Sequence, residues 1–126
     1  MTSWKTIFRH LKNEGYDVRP PGGTPGVCLS PYIVLLNNGS RLDVSRALRE
    51  YELLLYMPYA QYDRFEDYLR GVRACMNKLY PQVKLADDEQ PHYPDDDVKA
   101  YSTSLIYRTE TISAINRIEG VKRYGN

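Results

Sequence analysis

Apolar and polar residues alternate with a period of two from Glu50 to Met57. Tyr51, Leu53, Leu55 and Met57 fall on one face of an extended chain, and Glu50, Glu52, Leu54 and Tyr56 on the other. That period belongs to a β-strand. Pro58 has no amide hydrogen and ends the ladder. The period then changes: Phe65, Tyr68, Leu69, Val72, Met76 and Leu79 recur three or four apart, as one face of a helix does. Asp63 is placed to cap that helix and Pro81 to stop its continuation. The pattern predicts a strand that turns directly into a helix. Each has an apolar side to bury against the other, and the remaining segments complete this pair.

The flanking segments follow the same logic. Trp4, Ile7, Phe8 and Leu11 share one side of a predicted helix over residues 1–13, with Lys5, Arg9 and Lys12 toward water. Thr2 or Ser3 supplies its N-cap, and Gly15 suits a left-handed helix end. So large an apolar face must dock on the sheet or on a neighbouring subunit. Val18 to Pro31 holds four prolines and three glycines, which predicts an irregular connection with at most a brief strand at Val27 to Leu29. Pro31 to Asn37 is an almost continuous apolar run, expected to be a central strand covered on both faces. Asn37-Asn38-Gly39 marks a turn, because Asn and Gly tolerate positive φ. Ser40 to Arg49 is then a loop, a helical turn or an extended hairpin arm. In Lys99 to Ile112, Tyr101, Thr103, Leu105 and Tyr107 alternate with Ser102, Ser104, Ile106 and Arg108, predicting a final half-buried strand. Residues 113–126 have sparse apolar positions and read as a flexible or assembly-ordered tail.

The sum is one α+β domain over residues 1–126. It is a two-layer sandwich with a mostly antiparallel sheet of three to four strands, packed by one long helix and an N-terminal helix. The chain length suits a single core of moderate size.

Composition changes this picture in three places. A formal net charge of +1 disfavours a nucleic-acid binder, which is usually strongly basic. Twelve tyrosines suit half-buried sheet faces and protein interfaces alike, since the ring is apolar and its tip polar. Cys28 and Cys75 stand far apart with no metal or redox spacing, and are expected to be free buried thiols in a reducing cytoplasm. No apolar run approaches a membrane span, and the basic N-terminus lacks a signal peptide's apolar core.

Candidate chemistry is thin. The glycine-rich stretch lacks the spacing of a phosphate loop. His10 and His92 have no second ligand at metal spacing, so neither cofactor nor metal is expected. The one dense charge cluster is acidic, with Asp87, Asp88, Glu89, Asp95, Asp96 and Asp97 around Pro91 and Pro94. Charge and proline content predict a mobile solvated loop there. A contact with basic residues of another subunit is the next reading. Arg41, Arg46 and Arg49 are the matching basic cluster, either solvated or a contact surface.

PYIVLLNNG, REYELLLYMPYAQYDRFEDYLRGVRACMNKLYP and DDDVKAYSTSLIYRTET together resemble the small tail-terminator, or tail-completion, proteins of tailed bacteriophages. The resemblance covers Pro31 to Ile112; the acidic insert and the basic C-terminal tail lie outside it. It implies a structural virion protein and no enzyme: a ring, commonly of six copies, that caps the tail tube in the neck. Its partners would be tube and sheath proteins and the head connector, with DNA only passing through the lumen. The particle would assemble in a bacterial cytoplasm. In such a ring Arg41, Arg46 and Arg49 would meet Asp87, Asp88, Asp95 or Asp96 of the next subunit, with Tyr101 and Tyr107 adding buried area. Two other readings stand beside it. One is a small metal-dependent nuclease or hydrolase using the acidic 87–97 loop. The other is a monomeric module that binds a peptide at its sheet edge.

Overall fold

The structure, a computed structural model, describes residues 3–23, 26–43 and 46–110; for 41–43, 46, 47 and 110 it describes the backbone alone. The fold is α+β, with two helices and a mixed sheet of six strands. Helix α1 (Trp4–Asn13) leads into β1 (Val18–Arg19). The hairpin of β2 (Tyr32–Asp43) and β3 (Arg46–Pro58) comes next. A short 3₁₀ segment (Tyr59–Arg64) leads into helix α2 (Phe65–Asn77), and the short strands β4 (Val83–Asp87) and β5 (Tyr93–Asp95) precede β6 (Ala100–Glu110).

Strand order is β1-β2-β3-β6-β4, with β5 also pairing β6. β1 runs parallel to β2, and every other pairing is antiparallel. β3 is central. Leu53 lies opposite Leu35 on β2 and Leu105 on β6, and Leu55 lies opposite Ile33 and Thr103. This row sits on the helix side of the sheet. Ile7 and Leu11 of α1 and Phe65, Leu69, Val72 and Met76 of α2 close over it, all essentially without exposure. Burying side chains of this size contributes roughly 1.5–3 kcal/mol each.

The N-terminal helix docks on the sheet of its own chain. Ser3 Oγ accepts the Thr6 amide as N-cap, and Gly15 sits at φ +95° past the helix end. The Trp4 indole N–H donates to the Leu35 carbonyl at 2.8 Å, and the His10 ring bonds the Cys75 carbonyl at 2.7 Å. These two bonds tie α1 to β2 and to α2. His10 is thus a half-buried anchor, although its place in the sequence suggests a surface histidine.

Several expectations need correcting. The sheet has six strands where three to four were expected, because β6 collects β4 and β5 along its outer edge. Those strands lie in the acidic segment read as an unstructured loop. The Val83-Lys84-Leu85 alternation is too short to announce a strand, and the free edge of β6 supplies the pairing. Val27 to Leu29 forms no strand, and the short early strand is instead Val18–Arg19. Asn37-Asn38-Gly39 makes a bulge inside β2 rather than a turn. Gly39 takes φ +88°, the Asn37 side chain accepts its amide, and pairing resumes at Ser40 with Arg49. Ser40 to Arg49 is therefore the hairpin arm. Asp63 does not cap α2. The 3₁₀ segment intervenes, and Arg64 holds the N-cap position without a side-chain cap. Glu66 and Asp67 stand in the first turn, where their charge favours the helix dipole. Finally, β2 is covered on both faces at its start, where Tyr32 is buried with Cys28, Val98 and Ala100 on the side away from the helices; further along, Ile33 and Leu35 are buried while Val34 and Leu36 are half-buried.

Neighbouring leucines on β3 test this one-sided burial. Leu53→Ala empties a fully buried site and is expected to cost about 2–5 kcal/mol. Leu54→Ala, on the half-open face, should cost less than half as much. Urea unfolding followed by circular dichroism measures both, and equal losses would contradict the two-face assignment.

Candidate functional site

The residues singled out by their charge occupy two separate places on the sheet. The β2–β3 arm is one. Its pairing continues to Asp43 opposite Arg46, past the last described pair with β6, Leu48 opposite Glu110. Arg41 and Arg46 belong to the backbone of this arm, and their side chains lie outside the described residues. Arg49 is described, and its guanidinium donates to Asn37 Oδ1 at 3.4 Å.

The acidic residues lie beyond β6, on the side of the sheet away from β2. Asp87 ends β4 opposite Ile106, and Asp95 ends β5 opposite Ala100. Most of these carboxylates have partners within the chain. Asp88 pairs with Arg73 of α2. Asp95 accepts the Asp97 amide at 3.1 Å. Asp96 accepts the Tyr59 hydroxyl at 2.5 Å. In the backbone pairing, the arm carrying the arginines and the strands ending in Asp87 and Asp95 stand on opposite sides of β6. Among the described residues, no group of three or more His, Cys, Asp or Glu side chains converges as a metal site would require.

Tyr101 and Tyr107 part company. Tyr107 is 4% exposed and packs in the core, where burial pushes its phenol up to about 12. Its side chain fills the interior and is not free for a subunit contact. Tyr101 is half-buried and heads an aromatic cluster. Its ring lies 4.3 Å from that of Tyr62 and 5.1 Å from that of Tyr59.

That cluster contains a linkage that sequence reasoning missed. The Tyr62 hydroxyl meets His92 Nδ1 at 2.9 Å, and His92 Nε2 meets the Glu89 carboxylate. The other Glu89 oxygen accepts Arg73 Nη2 at 3.2 Å. The chain Tyr62–His92–Glu89–Arg73 thus joins the 3₁₀ segment, the acidic segment and α2. Each group already has a partner, so the arrangement works as a clasp that holds the 88–96 segment against the body. Tyr62 and His92 stand thirty positions apart, and no local spacing connects them.

The two cysteines are free and buried, as expected from the sequence. Burial pushes the Cys75 thiol up to about 11 and that of Cys28 upward. Both are poor nucleophiles in consequence.

The open face of the sheet is the third feature. The even-numbered residues of β3, of β6 and of β2 up to its bulge point away from the helices; Tyr32 and Ser104 are buried there, and Val34, Leu36, Leu54, Tyr56 and Ile106 are half-buried. The stacked pair Tyr32 and Tyr56 closes one end at 4.8 Å between centroids, with Arg19 lying 3.9 Å above the Tyr32 ring. A groove of about 550 Å³ runs there between Pro20 to Gly23 and Val34, Leu36 and Leu54. A smaller groove of about 160 Å³ lies at the arm end, between Asn38 to Ser40, Glu50 and Arg108. Among the described residues, no helix is long and apolar enough to cross a membrane. Compared with known proteins, the chain matches no family model and no curated protein at a significant level.

The Tyr59–Asp96 contact yields a titration test. Donation to the Asp96 carboxylate is the main reason the Tyr59 phenol stands near 12, above its ordinary 10. The folded state therefore holds this proton more tightly than the unfolded chain does. The stability it contributes is complete below pH 10 and is lost as pH rises toward 12. Asp96→Asn should bring Tyr59 back down toward 10 in a titration of tyrosine absorbance, with Tyr59→Phe identifying the component that moved.

Proposed function

We propose that the chain is a structural subunit that joins copies of itself head to tail into a closed ring, in the role of a phage tail terminator. The observation that carries this reading is the separation of charge across one rigid sheet. The arm bearing Arg41, Arg46 and Arg49 lies to one side of β6, and the acidic strands β4 and β5 lie on the other. Clusters that stand on opposite sides of β6 complement each other between copies. A contact between two different patches, repeated around an axis, closes into a ring. Complementary charge of this kind sets orientation and partner choice more than affinity.

Further support comes from the chain plan. A leading helix, a long hairpin, a strand passing into a helix and a closing strand are the order that the resemblance implies. In this reading the ring has six copies and caps a tail tube. One rim faces the tube and sheath, the other faces the head connector, and DNA passes through the lumen. The clasp between Tyr62, His92, Glu89 and Arg73 keeps the acidic edge in one shape, so that a neighbour meets a formed surface. Tyr101 adds aromatic area beside it.

The test is the oligomeric state. Native mass spectrometry of the purified chain should show a single closed ring of fixed stoichiometry. Arg46→Glu combined with Arg49→Glu should lower the assembled fraction by about tenfold or more while far-UV circular dichroism stays unchanged. A chain that stays monomeric at high concentration, or a charge-reversed variant that assembles normally, would remove the proposal.

A further inference from the structure

In an Asn-Gly step the glycine nitrogen can attack the asparagine side chain, because glycine has no Cβ to shield its amide. The sequence holds one such step, Asn38-Gly39, and the fold sets it in the β2 bulge. We propose that Asn38 is a self-modification site: it loses ammonia to become aspartate or isoaspartate, at a rate governed by two side-chain hydrogen bonds that brace the bulge. The proposal does not rest on the ring.

The ladder between β2 and β3 pairs Asn37 with Tyr51 and resumes at Ser40 with Arg49, so it skips Asn38 and Gly39. Side chains hold the skipped step instead. Asn38 Nδ2 donates to Glu52 Oε1 at 3.1 Å, which commits the side-chain amide to β3. The Gly39 amide donates to Asn37 Oδ1 at 2.9 Å, and the Arg49 guanidinium holds the same oxygen at 3.4 Å. The attacking nitrogen and the attacked side chain are thus each engaged elsewhere, and both bonds must open before the two meet. Asn37 and Asn38 are exposed, so these bonds open far more often than the domain unfolds. Nothing crowds the Gly39 α-carbon, and a groove of about 160 Å³ beside Asn38, Gly39 and Ser40 admits the water that the second step consumes.

The reaction needs only water. The Gly39 nitrogen gives its proton to a solvent base and bonds to Asn38 Cγ. The Cγ–Nδ2 bond breaks, and that nitrogen takes up a proton and leaves as ammonia. Water then opens the cyclic imide at either carbonyl, giving aspartate or isoaspartate. Either product carries a carboxylate where a donor stood, facing Glu52, with Glu50 lining the same groove. Like charges set against each other weaken a strand pair. Isoaspartate also adds a carbon to the main chain, just ahead of the pairs Ser40–Arg49 and Arg41–Leu48 that begin the arm. Register there decides which face each later residue takes. Conversion therefore loosens the arm at its root.

Incubation of the full chain in mildly alkaline buffer, followed by peptide mass spectrometry, tests the site. The peptide holding Asn38 should gain a single mass unit, at a rate about tenfold or more below that of the same chain unfolded in urea. Asn37→Ala frees the Gly39 amide and Glu52→Ala frees the Asn38 side chain; each should speed conversion about fivefold in the folded protein. An unchanged urea midpoint separates release of the brace from unfolding. Asn38→Asp installs the product charge directly and needs no reaction. It should speed hydrogen exchange at the Ser40–Arg49 pair about fivefold, while Leu53 and Leu105 exchange as before. Conversion as fast folded as in urea, or none at Asn38 in any folded chain, would overturn the proposal. So would folded variants that convert no faster than the unaltered chain, or unchanged exchange in Asn38→Asp.

Discussion

The hydrogen bonding of β3 along both of its edges sets the place of everything else. From Leu48 to Pro58 it pairs with β6, and from Arg46 to Tyr56 with β2. Its alternation therefore fixes the alternation of its two neighbours, because a slip of one residue would turn every leucine of the row to the wrong side. With the register set, Leu35, Leu53 and Leu105 line up across three strands, and only then is there a continuous apolar floor for the helices. The helices depend on that floor rather than on each other. α1 reaches it with Trp4, Ile7 and Leu11, and α2 with Phe65, Leu69, Val72 and Met76. Turning the floor polar at Leu53 would take away what both helices rest on.

The surplus of tyrosine is mostly absorbed inside the chain. Tyr32 stacks on Tyr56, Tyr16 meets Tyr68 edge-on, and Tyr59 and Tyr62 gather around Tyr101. These contacts lie at the margins of the core, where a ring can be buried while its hydroxyl stays near water. Tyr68 is the exception. Its hydroxyl is buried with no hydrogen-bond partner among the described residues, and burial pushes its ionisation upward. The tyrosines thus argue less for a broad interface than their number alone suggests. Of the two tyrosines singled out from the sequence, Tyr101 keeps a half-open side and Tyr107 does not, while Tyr62, Tyr80 and Tyr93 are the exposed ones among the described residues.

What remains for function is a division of surfaces. One face of the sheet carries the helices. The two flanks carry opposite charge in the arm and in β4 and β5, and the other face is an apolar strip framed by acidic residues. Under the assembly proposed above, the two flanks are the surfaces that would meet between copies. The clasp around His92 matters here because it converts a run of carboxylates and prolines into a shaped edge. Asp88 and Asp96 add separate anchors to the same edge, through Arg73 and Tyr59.

The sequence by itself determined the elements whose periodicity is long. Residues 50–57 and 101–109 alternate cleanly, and the stripes of α1 and α2 repeat over several turns. Burial of one side is the only solution those patterns admit. Ser3 and Gly15 bounded α1 for the same local reason, a cap and a left-handed exit. Everything that depended on a distant partner was decided by tertiary structure. Val83-Lys84-Leu85 became a strand only because β6 had an unpaired edge, and Asn37-Asn38-Gly39 became a bulge only because β3 continued alongside. His92 found Tyr62 and Glu89 through the path of the chain, which no spacing encodes. The candidate surfaces divide in the same way. Their charges were readable in order along the chain, while the opposite flanks on which they stand came from the pairing of β6 between β3 and β4.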